Sequence, residues 1–215
     1  MKYTIALSAV LMVAMAGCAT DVVTDTETHP AVAAHAVAAR ASISSLRSLV
    51  AAGGPRSHGF TSVAEVDQSD VAEPFPLLLL GMAELRNYEG DTGAEAMFRD
   101  VNEWFYPVVV SGQVRTAVRM GMRNGAWEPG VFGYAKVAKE AVAVREQLRA
   151  AGYSGDLALV HVPALSLWLV SHRDHGTLML TPLRSDDAEG LVAGRPEPAT
   201  STLTKVAGMA RRQGT

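Results

Sequence analysis

Asn124-Gly125 stands between two runs of strand-forming residues, and this dipeptide leaves the chain around it few choices. A two-residue hairpin turn that matches the twist of its strands needs positive φ at both central positions, which asparagine and glycine tolerate best. Val114 to Met122 is therefore expected as one strand and Ala126 to Gly133 as its return. Upstream, Trp104 to Val110 is rich in β-branched and aromatic residues, and a short turn, Ser111 to Gln113 with Gly112 inside it, separates it from Val114. Together the three runs predict an antiparallel meander.

The pattern on either side of the meander changes period. Tyr134, Val137, Ala138, Ala141, Val144 or Arg145, and Leu148 recur at three- and four-residue steps and predict a helix from Tyr134 to Ala150, stopped by Gly152 and Gly155. Lys136 and Glu140 sit on its outer face at i, i+4. Beyond it, Leu157 to Val162 and Ala164 to Ser171 read as strands parted at Pro163, with a last strand from Thr177 to Leu183. They are apolar on both faces, which places them centrally with a helix over one side. Before the meander, Leu77 to Leu80 reads as a buried strand, Ser62 to Ser69 as a short helix, and Thr92 with Glu95 as a capping box opening a short helix through Phe98. The expected fold is α+β: an antiparallel sheet built as β-meander, helix, β-hairpin, with one main helix packed on it, over residues 60–183. An Ala-rich helix, residues 31–52, precedes it, with Val32, Ala36, Ala39, Ile43, Leu46 and Val50 on one face. Residues 184–215, rich in Asp, Gly, Pro and Thr, read as a flexible tail with a short helix near Leu203 to Arg212.

The first residues belong to no fold. A short n-region carrying Lys2 leads into an apolar run from Ile5 to Ala14, about half the roughly 20 residues a membrane span requires, so residues 1–17 read as a secretory signal. The run ends on Met15, Ala16, Gly17 and Cys18, an apolar residue and two small ones before a cysteine. This segment resembles the lipobox of bacterial lipoproteins, although that family prefers leucine where Met15 stands. The resemblance covers residues 1–20 and implies cleavage before Cys18, a diacylglycerol on its sulfur, and acylation such as palmitate on its amine. Several acyl chains hold a protein to a bilayer far more firmly than one. Ala19, where enterobacterial lipoproteins retained in the inner membrane favour aspartate, implies the outer membrane. Residues 18–30 then form a polar tether. Cys18 is the only cysteine, so the mature domain must fold without disulfides.

A formal net charge of −3 gives no reason to expect nucleic acid as a partner. Among side chains that might carry chemistry, His172, Asp174 and His175 lie within one polar turn and His161 lies two strands back. Imidazole and carboxylate ligands suit zinc, so these four are candidates for a metal site if they converge; otherwise the turn is simply solvated. His172-Arg173-Asp174 shares its letters with the protein-kinase catalytic loop, but no glycine-rich loop or Asp-Phe-Gly accompanies it. No Gly-x-Ser-x-Gly elbow is present, and no cofactor is expected. Arg115, Arg119 and Arg123, spaced by four along one expected strand, fall on one face and offer a row of guanidinium groups for phosphates or an acidic partner. Trp104, Trp127 and Trp168 occupy strand positions and are expected mainly in the core. The combined reading is a lipid-anchored envelope protein that binds or scaffolds a protein or glycan. The alternatives are a hydrolase, metal-dependent if the histidine turn assembles, and an inhibitor or immunity-like protein.

Overall fold

The computed structural model describes residues 30–90 and 93–213, with side chains of the first helix from residue 34 onward. The signal, the lipobox with Cys18, the tether up to residue 29 and the capping residue Thr92 lie outside these. The meander forms as the turn chemistry requires: β3 (Arg99–Val110), β4 (Gln113–Arg123) and β5 (Ala126–Gly133) pair antiparallel in sequence. Asn124 and Gly125 take φ of 51° and 82°, and His175 and Gly176 repeat that conformation at a later hairpin.

The sheet is larger than the sequence suggests and it is mixed. β1 (Ser69–Val71) and β2 (Phe75–Leu79) both pair with β3, and β2 also pairs in parallel with β6 (Ala158–Val162), which continues through β7 (Leu167–Asp174), β8 (Thr177–Pro182) and β9 (Glu197–Pro198). The order β5-β4-β3-β2-β6-β7-β8-β9 corrects the expectation of a purely antiparallel sheet. A parallel pair needs a long crossover, and α5 (Ala135–Ala150) supplies it, carrying the chain from the β5 edge back to the centre. β2 takes the central place because it is apolar on both sides: Phe75 and Leu77 enter one core and Leu80, just after it, the other.

Helices cover both faces. On one, α5 buries Val137, Ala138, Ala141, Val144 and Leu148 against Phe75, Leu77, Phe105, Leu159 and Val170. The opposite face is shared by two groups. α1 (Pro30–Ala41), α2 (Ile43–Gly53) and the one-turn α3 (Val63–Val66) cover Tyr106, Val108, Val118 and Met120. α4 (Met82–Arg86) and α6 (Ala199–Arg212) cover Val160, Val162, Leu169 and Leu180.

Two expectations are corrected here. The Ala-rich segment is two helices broken at Ser42, whose hydroxyl donates to the Ala39 carbonyl, and both dock through Ala39, Leu46 and Val50. The supposed tail is folded. Leu203, Val206, Ala207 and Ala210 form an i, i+3, i+4, i+7 stripe that is wholly buried. The polar stretch before α6 is pinned by the paired backbone bonds of Asp186 with Leu191 and by Gln147 Nε2 donating to the Gly194 carbonyl. Alanines and a threonine bury little area each, but together they let α6 lie close on the sheet.

The strands give the sheet two distinct ends. One holds the β4–β5 turn and the β6–β7 connection around Pro163–Leu165; the other holds the β3–β4 turn, the β7–β8 turn and the α5–β6 loop.

Candidate functional site

The β7–β8 end carries a recessed surface, and the α5–β6 loop shapes it. After α5 stops at Ala151, Tyr153 folds back across Gly155; a Cβ there would lie 2.5 Å from the Tyr153 hydroxyl and 2.8 Å from its ring, so a larger residue would push the tyrosine aside. The Tyr153 hydroxyl donates to the Asp156 carbonyl and accepts from the Arg173 N–H, tying the loop to β7. His172, on the same face of β7 as Val170, meets the Tyr153 ring edge-on at 4.9 Å. This pair separates two recesses of about 500 Å³ each. Leu148, Ser154, Met179 and Pro196 line one, and Pro76, Asp156 and Leu178 line the other.

His172 is buried, and its Nδ1 has no hydrogen-bond partner among the described residues. Burial holds its pKa below the ordinary 6.5, against a weaker opposite pull from Asp174, so the ring is neutral at pH 7. Arg173, which lines both recesses, pairs with Glu95 at 2.5 Å, and His175 is 98% exposed with Asp174 3.7 Å from its Nε2. His161 lies elsewhere, stacked flat on Trp168 with ring centroids 3.8 Å apart. Among the described residues no three His, Cys, Asp or Glu side chains converge as metal ligands, so His161, His172, Asp174 and His175 do not assemble the site their residue types allow. The physical reason is strand geometry. His161 pairs with Trp168, four residues along β7 from His172, which is about 13 Å.

The arginine row is also broken. A register shift between Val108 and Val109 inserts Arg115 as an extra residue in β4, and its guanidinium pairs with Glu65 of α3 at 2.7 Å. Arg119 projects from the α5 face and grips Glu103 through two nitrogens, and Arg123 makes no ion pair among the described residues. Arg119 also helps burial push His161 down to about 4.

One cluster has no sequence signal at all. His35 of α1 is buried between Trp104, stacked at 4.2 Å, and Trp127, edge-on at 5.1 Å, while its Nδ1 is hydrogen-bonded to the Tyr106 hydroxyl. Its Nε2 has no hydrogen-bond partner among the described residues. Burial lowers its pKa and raises that of Tyr106 to about 12, although Arg40 pulls the tyrosine the other way. An isolated histidine in an Ala-rich helix gives no hint of this, because the aromatic rings that receive it come from strands about 70 and 90 residues away.

Comparison of the chain with protein-family models, with curated proteins and with solved structures gives no match in any of the three.

Proposed function

We propose that the chain is an envelope lipoprotein, exported and anchored through lipid on Cys18, whose domain binds a protein or glycan partner at the recess around Tyr153 and His172. The outer membrane is the favoured location, on the identity of Ala19. One observation carries the reading. α1, which continues the tether, enters beside Trp104 and Trp127 near the β4–β5 turn, whereas the recess opens at the opposite end of the sheet. A tether at one end and a concave, mixed polar and apolar surface at the other is the layout that presents a binding site away from a membrane. The lining sets a neutral imidazole, a tyrosine ring and the Ser154 hydroxyl beside charged side chains of both signs, Arg173, Asp174 and Asp156, and so suits a partner that offers hydrogen-bonding groups next to apolar surface.

The test is intact mass and fractionation of the wild type and of Cys18→Ser in a bacterial host, with a photo-crosslinking residue at Ser154 or, as control, at Ala126. The reading expects a chain that begins at Cys18 with acyl mass, release of the variant from membranes, and protein or glycan adducts from position 154 alone. A chain cleaved elsewhere and unacylated refutes the anchor, and equal adduct formation at both positions refutes the recess.

A further inference from the structure

We infer that the β4–β5 end of the domain, with Met122, Arg123 and Trp127 beside the start of α1, rests against the headgroup layer of the bilayer. The inference builds on anchoring through Cys18 and adds the orientation and the contact surface.

The direction of α1 is fixed at two points. His35 lies between Trp104 and Trp127, and Trp127 pairs across the hairpin with Met122. Arg40 reaches Asp70, whose strand partner is Val109. Trp104 and Val109 are five residues apart along β3, or about 17 Å, so the helix runs from the β4–β5 end towards the β3–β4 end. Pro30 precedes His35 by five residues, about 7–8 Å of helix, which brings the start of α1 to the level of the β4–β5 turn.

Lengths then decide the orientation. From Cys18 to Pro30 the chain can span at most about 40 Å when fully extended. β3, which runs the length of the sheet, has 12 residues and is about 40 Å long. For the recess end to face the bilayer, the tether would have to climb the whole sheet at nearly full extension, losing almost all its conformational freedom. With the β4–β5 end down, no such stretching is needed.

The chemistry of that end fits the contact. Met122 is 43% exposed and adjoins the half-buried Trp127, so the two together offer an apolar surface at the tip of the hairpin. Arg123 next to it is exposed and unengaged by any carboxylate among the described residues. Tryptophan favours the bilayer interface, and arginine extends an apolar stem while its charge stays among phosphates.

The test uses full-length lipidated protein in phosphatidylethanolamine–phosphatidylglycerol vesicles that carry a headgroup spin label as quencher. Ala126→Cys and Thr177→Cys, both at exposed positions at opposite ends, are each labelled with an environment-sensitive fluorophore; Cys18, once acylated, offers no competing thiol. The expected result is several-fold stronger quenching at 126 than at 177, and its loss when Met122→Ser and Arg123→Ser are added to the Ala126→Cys protein. Equal or reversed quenching in protein whose mass shows the lipid overturns the orientation. Unchanged quenching after the two serine substitutions overturns the contact surface. Protein lacking the lipid mass overturns the anchoring reading itself.

Discussion

Acidification should destabilise this domain between pH 7 and 5, and His161 sets the scale. Its folded-state pKa is about 4 against an ordinary 6.5, because burial disfavours the charged ring and the Arg119 guanidinium adds repulsion. A depressed histidine binds its proton in the unfolded chain before it does so in the native one. Stability is therefore full above about pH 6.5 and is lost as pH falls towards 4. Between pH 7 and 5 that displacement is worth about 2 kcal/mol, at 1.36 kcal/mol per pH unit. The ring is only half-buried, and solvent screening reduces this to roughly 1–2 kcal/mol. His35 and His172, also depressed by burial, add losses of the same sign. Glu65 and Glu197 are held below their ordinary 4.5, so they contribute only at lower pH and leave the window to the histidines. The assay is urea unfolding followed by far-UV circular dichroism at pH 7 and pH 5, for the wild type and for His161→Phe, which keeps a ring on Trp168 but cannot titrate. The variant should lose roughly 1–2 kcal/mol less than the wild type over that interval. Identical losses in the two proteins would refute the assignment of this proton uptake to His161.

Leu203→Ala should cost about 2–5 kcal/mol by thermal or urea unfolding, because the side chain is fully enclosed between α6 and the sheet; a cost near zero would return α6 to the status of a loose tail. Tyr106→Phe removes the hydroxyl that satisfies His35 and should cost about 1–3 kcal/mol, with faster hydrogen exchange concentrated in α1. Gly59→Ala should destabilise by more than the ordinary cost of about 1 kcal/mol, since φ is +85° there and the new Cβ would lie 2.3 Å from the Arg115 carbonyl oxygen.

Local signals were legible wherever neighbours in sequence are also neighbours in space. Asn124-Gly125 and Ser111-Gly112 place the meander, and the spacing from Val137 to Leu148 predicts both α5 and the face it buries. The α+β class follows from those elements. What the pattern could not reveal was pairing at a distance. Nothing in Phe75–Leu79 says that it will lie parallel to Ala158–Val162, because an apolar strand can sit beside any other. A one-residue bulge sent Arg115 to Glu65, and even spacing along a sequence carries no trace of a bulge.

The candidate sites divide along the same line. The sequence by itself determined the meander's turns, the helix faces and the α+β class, since each depends on residues a few positions apart, whereas the turn expected at His172 to His175 is only His175-Gly176, because β7 continues through Asp174. Only the tertiary structure decided that Tyr153 and His172 would wall two recesses, that His161 would stack on Trp168 rather than join them, and that His35 would be enclosed by three aromatic rings. The folding of the final residues onto the sheet belongs with these. Small side chains gain little from burial singly, and it is the flat surface of Val160, Leu169 and Leu180, assembled from three different strands, that makes their burial as a stripe worthwhile.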